Sequence, residues 1–280
     1  MSNIAVIGSV NLDLVATVKK LPAPGETVTD AVLNRFPGGK GANQALAAKR
    51  LGADVRLIGC VGDDAAAEEA LALLRDGGVG LDDLRVAADA PTGTALIAVA
   101  PSGENHIVVA PGANRSLTPE VLSVPAADAL ICQLEVPTET VARAAAEFDG
   151  FFCVNLAPAK QVDVTVLQRA DLVIVNEIES AWYGESLNAC PGMIATTVGA
   201  AGATISKGGE DIAVAKPPRI EAVDTTAAGD TFTAALTVAL VEGQSPQQAL
   251  EFACAAGAAA CTKLGAQPSL PNRDQVMALV

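Results

Sequence analysis

Short apolar runs alternating with helical patterns constrain this chain more than any other feature. Residues 4–10, 55–61, 129–133, 151–155, 171–176 and 194–198 read as short buried strands. Residues 43–51, 65–75 and 138–148 carry apolar side chains at helical spacing; Gly52 closes the first of these helices and Gly77-Gly78 the second. The last third is mostly helical, over 229–242 and 246–263. Strands alternating with helices form βαβ units, so the expected class is α/β with a mainly parallel sheet covered on both faces. Two stretches break the rhythm, at about 15–36 and 92–109, where strand and turn signals replace helix signals. In the second, TGTALIAVAPSGENHIVV reads as a hairpin turning at Pro101-Ser102-Gly103. These pieces form either a small sheet of their own or an antiparallel edge of the main one.

At 280 residues, half of them hydrophobic, the chain suits one large domain, or one domain with a small appendage. Its 32 acidic residues against 18 basic ones argue against general binding to nucleic acid or anionic membranes. An anion would have to be held by specific local donors. The most apolar stretch, 253–260, is too short to span a bilayer, so no membrane partner is expected. MSNIAVIGSV begins a strand almost at once without a basic leader, so no signal peptide is expected. The six cysteines show neither C-x-x-C pairs nor metal-like spacing, and read as reduced core residues of a cytoplasmic protein. His106, the sole histidine, lies in a strand-like stretch and reads as structural.

DTTAAGDTF, residues 224–232, precedes apolar positions 232, 235, 236, 239 and 240, which have helical spacing. The turn therefore opens a helix, whose first amides lack intrahelical partners and carry partial positive charge. The small residues Ala227, Ala228 and Gly229 let a phosphate approach them. Asp230 at this point can cap the helix, or accept the proton of an attacking hydroxyl as an aspartate does in other kinases. Asp224 can fix the loop by hydrogen bonds or help to hold a cation. GGKGANQ, residues 38–44, is a second small-residue turn before a helix and is not a Walker A loop. There Lys40 and Asn43 offer the mixed hydrogen-bonding groups that a polyol needs. GSVNLD, residues 8–13, follows the first strand. Asn11 and Asp13 would project beyond the carboxyl ends of the sheet, where ligands of parallel sheets bind.

Taken in order, GSVNLD, LPAPGETV (21–28), GGKGANQA (38–45), QLEVP (133–137), NEIE (176–179), TVGAAG (197–202), VDTTAAGDTF (223–232) and GAQPSLP (265–271) resemble the ribokinase-like (PfkB-type) carbohydrate kinase family over nearly the whole chain. The resemblance implies one domain over 1–280, a Rossmann-like α/β sandwich with a discontinuous β lid from about 15–36 and 92–109. It implies ATP and D-ribose as ligands, phosphorylation of the sugar's 5-hydroxyl, and a homodimer through the lid. Asp230 matches the catalytic base, and Ala227, Ala228 and Gly229 the anion hole. Asn11, Asp13, Gly39, Lys40, Asn43 and Glu135 match sugar-binding positions, together with Asp230. Asn176, Thr197, Gly199, Gly202, Gly229 and Cys254 match nucleotide-binding positions. Glu179 matches a residue that serves Mg2+ through water. Asp224, Thr226, Ala260, Lys263, Gly265 and Ser269 match a monovalent-cation site for K+.

Some residues depart from the family's pattern. The stretch between Asn176 and Thr197 is short, with ESLNACPGM where a full helix is usual. Cys254 stands where a polar residue often lies near the adenine, and Ala200 and Ala201 are plain for a nucleotide loop. These changes bear on nucleotide affinity more than on sugar recognition. Rival readings are a kinase of the same family acting on a nucleoside, fructose or a sugar acid, a non-catalytic sugar sensor, and an NAD-dependent oxidoreductase. One Trp, one Tyr and six Phe offer a nucleoside base little aromatic surface. The sensor is disfavoured by the intact turn and Asp230. The oxidoreductase is disfavoured because GSVNLD stands where G-x-G-x-x-G would be needed.

Overall fold

The computed structural model describes residues 1–101 and 104–280. Its strands are β1 (Asn3–Ile7), β2 (Asn11–Thr17), β3 (Val32–Gly38), β4 (Asp54–Ile58), β5 (Cys60–Gly62), β6 (Arg85–Ala87), β7 (Gly93–Val99), β8 (Asn105–Ala110), β9 (Ala129–Cys132), β10 (Phe151–Asn155), β11 (Leu172–Asn176), β12 (Met193–Thr197), β13 (Ala203–Lys207) and β14 (Glu210–Ala215). The helices are α1 (Lys40–Arg50), α2 (Ala65–Asp76), α3 (Thr138–Glu147), α4 (Val164–Arg169), α5 (Glu177–Tyr183), α6 (Ala228–Val241), α7 (Pro246–Ala260), α8 (Ala266–Ser269) and α9 (Arg273–Met277).

The main sheet runs β14-β13-β12-β11-β10-β9-β1-β4. From β4 to β12 every pairing is parallel; β13 and β14 continue antiparallel at one edge. Both faces are buried, and the side chains sort with period two. Ile4, Val6, Ala129, Ile131, Leu172 and Ile174 enter one core. Ala5, Ile7, Leu130, Cys132, Val173 and Val175 enter the other. Residues of α1, α2, α6 and α7 fill the first core, and residues of α3 and α4 belong to the second. Local chemistry starts the helices. Asp64 accepts from the Ala67 amide at 2.9 Å to begin α2, and Ser245 with Gln248 forms a capping box ahead of Pro246 in α7.

The two irregular stretches form a sheet of their own, ordered β3-β2-β7-β8. β2 lies antiparallel to β3 and parallel to β7, and β7 pairs antiparallel with β8. Of the expected hairpin turn, Ser102 and Gly103 lie outside the described residues. Several boundaries differ from those expected. The apolar run 4–10 divides into β1 and a connection over 8–10, because the chain leaves the main sheet at Gly8 and joins the small one at Asn11. Helix α1 begins at Lys40 rather than 43, since Gly41 in its first turn packs directly on the Gly8 backbone. The last long helix ends at Ala260, not 263. All six cysteines are buried and free, and His106 sits on exposed β8. Among the described residues, no helix is long and apolar enough to cross a membrane.

Candidate active site

The site begins where the chain passes from one sheet to the other. β1 stops at Ile7, and within four residues Asn11 opens β2 beyond the carboxyl ends of the parallel strands. Asn11 and Asp13, two apart on one strand, share a face, and both are buried. Their neighbours leave them room. A Cβ at Gly38 would collide with the Asp13 carboxylate, and one at Gly93 would collide with Asn11 Oδ1 and Asn114 Nδ2. Asn114 holds Asn11 in place, donating to its Oδ1 at 2.8 Å while accepting from the Val10 amide at 2.9 Å. Glu135 Oε2 accepts from Ser9 Oγ at 2.6 Å, the Lys40 amide at 3.2 Å and Asn11 Nδ2 at 3.4 Å. Gly39, with φ of 90°, makes the sharp bend that brings this amide into α1.

Asp230 closes the same group from α6. It lies in the helix's first turn, where the helix end favours negative charge. Its side chain is buried: Asn43 Nδ2 donates to Oδ2 at 2.8 Å, and Gln44 Nε2 donates to Oδ1 at 2.9 Å. Asn43 Oδ1 is buried without a partner. Burial, then the charges of Glu135 and Asp230, push the Asp13 carboxyl up to about 7. Burial also raises Glu179, with Asp230 adding to it while the Asn176 amide and Lys40 oppose. For Lys40 burial works to lower the value, but the charges of Asp230, Glu135 and Glu179 outweigh it and hold it above that of an ordinary lysine. All seven sugar-side residues expected from the sequence therefore meet in one acidic cluster served by one lysine.

A cleft of about 550 Å3 lies on the other side of the α6 N-terminus. Of the residues expected on the nucleotide side, Thr197, Gly199, Gly202, Gly229 and Cys254 line it. Asn176 stands beside Thr197 as its partner in the β11–β12 register. Pro217, Ile220 and Phe232 make much of the wall apolar, which suits the flat face of a base. The turn before α6 bends at Ala227, whose φ of 62° is left-handed, and the Ala228 amide donates back to Thr225 O at 3.3 Å. Nothing stands within 4 Å of where a Gly229 Cβ would lie, so the backbone is open to a ligand there. Ala228 and Gly229 thus face the cleft, and the next residue, Asp230, faces the acidic cluster.

Asn176 and Glu179 form a reciprocal capping box on α5: the Glu179 amide donates to Asn176 Oδ1 and the Asn176 amide to Glu179 Oε2, each at 2.8 Å. In the shortened segment, α5 is followed by a 3-10 stretch over Gly184–Ala189 in place of a longer helix. Asp224 fixes its loop. Its Oδ1 accepts from the Thr226 amide at 2.9 Å and Thr226 Oγ1 at 2.6 Å, and its Oδ2 accepts from the Gly265 amide at 2.9 Å. Ala260 ends α7, Lys263 is exposed, and buried Ser269 donates to Ala266 O at 2.8 Å. Only Asp224, Thr226 and Gly265 of that set are directly bonded to one another. The motif reading passes over Ser9, Gln44, Asn114, Gln133 and Asn155. Ser9, Gln44 and Gln133 stand inside motifs already quoted, Asn155 is a polar residue closing an apolar run, and Asn114 in PGANRS carries no such signal.

With this geometry in place, comparison with known proteins is specific. The pfkB family carbohydrate kinase profile matches residues 1–273. Ribokinase of Bacillus subtilis is 38% identical over 100% of both chains, and that of Haemophilus influenzae is 36% identical over 98% of this chain and 97% of its own. Among solved structures, the ribokinase of Thermotoga maritima superposes with a TM-score of 0.91 at 32% identity, covering 100% of this chain and 99% of that one. Arabidopsis thaliana ribokinase complexed with ribose and ATP gives 0.88 at 30% identity, over 99% and 98%. The chain belongs to the pfkB family of carbohydrate kinases.

Proposed function

We propose that this protein transfers the γ-phosphoryl group of ATP to the 5-hydroxyl of D-ribose, giving D-ribose 5-phosphate and ADP. The observation that carries the reading is the position of Asp230: its carboxylate faces the sugar-side cluster, while the two residues before it face the cleft. Asp13, Glu135 and Asn43 accept from or donate to the sugar hydroxyls, and the unpartnered Asn43 Oδ1 supplies an acceptor. The first-turn amides at Ala227, Ala228 and Gly229 take up charge that develops on the transferring group. Asp230 accepts the proton of the primary hydroxyl. The lid sheet shields the sugar from water, which would otherwise compete as phosphoryl acceptor.

Magnesium carried with ATP would neutralise charge on the phosphates. Glu179 fits that partner through water, since its buried carboxylate gives one oxygen to the Asn176 amide and keeps the other. Potassium would lie at the loop of Asp224, Thr226, Ala260, Lys263, Gly265 and Ser269. Its ligands there would be largely backbone carbonyls, because the Asp224 carboxylate already braces the loop. Six free buried cysteines support a reducing cytoplasmic location. Exposed Val32, Leu33, Leu96, Ile107 and Val108 on the lid sheet support a homodimer through the lid.

The test is ADP release with magnesium and ATP across D-ribose, 2-deoxyribose, fructose and nucleosides, with and without potassium. Deoxyribose belongs in the panel because the deoxyribokinase of Salmonella typhi is 31% identical over 98% of this chain. Ribose is expected to give the highest kcat/KM. In the same assay Asp230→Asn is expected to lose about a thousandfold in kcat with ribose binding retained. Wild-type turnover by that variant would remove Asp230 from the chemistry.

A further inference from the structure

Three amide side chains lie in the core behind Asp230. Gln44 and Gln133 are fully buried, and Asn155 nearly so. They come from α1, the segment after β9, and the end of β10. Gln133 Nε2 donates to Gln44 Oε1 at 2.6 Å. With its carbonyl so held, Gln44 must turn its NH2 group the other way. There it donates to Asp230 Oδ1 at 2.9 Å and to Asn155 Oδ1 at 3.2 Å. Asn155 is oriented in turn, because its own Nδ2 donates to Ile174 O at 3.2 Å. A flipped Gln44 amide would set carbonyl against carboxylate at one end and NH2 against NH2 at the other. The chain of donors therefore has one direction, from Gln133 through Gln44 to Asp230. Space is kept for it, since a Cβ on Gly8 would collide with the Gln133 amide.

We infer that Gln44 is a positioning residue for Asp230 and that Gln133 acts through Gln44, the two forming a buried relay that fixes the carboxylate's rotamer. The inference rests on the reading of Asp230 as the base. Asn43 donates to the other oxygen from the sugar side, so Oδ2 faces the substrate and Oδ1 is anchored in the core. Gln44 reaches the sugar-side cluster only through Asp230, and Gln133 only through Gln44, so the relay affects the chemical step and leaves sugar affinity alone.

The experiment compares Gln44→Met, Gln133→Met, the double variant and Asp230→Asn for fold, ribose KM and kcat. Gln44→Met is expected to lower kcat about 10- to 100-fold, the loss of a donor to a charged group, with ribose KM within about twofold. Asp13, Lys40, Glu135 and Glu179 also face this cluster and remain in every variant, so the difference from wild type isolates the relay. Gln133→Met produces a smaller loss of the same kind, and the double variant is no slower than Gln44→Met. Folded variants with wild-type kcat, a loss confined to KM, or additive losses in the double variant would each overturn the relay. If Gln44→Met does not fold, side-chain amide NMR of the 15N-labelled protein takes its place. Asp230→Asn is expected to shift the Gln44 NH2 pair, and an unmoved pair refutes the contact. An active Asp230→Asn instead refutes the base assignment itself, so the two failures are distinguishable.

Discussion

Replacing Asp13 with asparagine is expected to stabilise the empty protein at pH 8 while disabling sugar binding. Asp13 is 8% exposed and shares its cluster with Glu135 and Asp230. Burial and those two charges lift its carboxyl from the ordinary 3.8 to about 7. Between those values the native state holds a proton that the unfolded chain has released. Stability therefore falls as pH rises from about 4 to 7, and levels off above it. Each tenfold change in proton affinity is worth about 1.4 kcal/mol, so the charged form costs the folded protein up to about 4 kcal/mol at pH 8. Asparagine keeps the shape and removes the charge. The stability gap between variant and wild type should be near zero at pH 4 and approach that ceiling at pH 8. Urea unfolding of both proteins at each pH unit measures it. A variant less stable than wild type at pH 8, or a gap that does not change with pH, would refute the reasoning. The same titration acts on function. Asp13 must be ionised to accept from two hydroxyls, so wild-type ribose affinity should weaken about tenfold per pH unit below 7.

Gly93→Ala places a methyl group against Asn11 Oδ1 and Asn114 Nδ2, with Val10 O only 2.8 Å away. It should cost about 1–3 kcal/mol in stability, read by unfolding, and raise ribose KM more than ATP KM. Cys254→Phe puts a large ring into the cleft that Cys254 lines. It should weaken ATP at least about tenfold by calorimetry with ribose binding unchanged, and unaltered ATP affinity would remove Cys254 from the nucleotide site.

Most of the framework was legible in the residues. The runs 4–7, 129–132, 151–154 and 172–175 are apolar at successive positions, which only a sheet buried on both faces requires, and that implied parallel βαβ packing. The small-residue turns at 38–41 and 227–229 announced helix starts open to a ligand, because amides there have no helical partner. The β13–β14 hairpin was passed over even though Gly208-Gly209 signals its turn, and β5 with β6 is too short to carry a pattern. Pocket membership was harder. Asn11 and Asp13 were marked by their place just after the first strand, whereas Glu135 came only from the resemblance in motif order.

What the chain alone determined was local: which segments are strands, which turns begin helices, and that Asp230 opens α6 among small residues. The tertiary structure alone decided where that carboxylate points. Gln44 and Asp230 are 186 residues apart, Asn11 and Asn114 are 103 apart, and Asp224 reaches the Gly265 amide across 41. A buried amide leaves no periodic trace along the sequence. Its direction is set by partners that meet only after the sheet order has closed the intervening chain, when most buried donors find an acceptor.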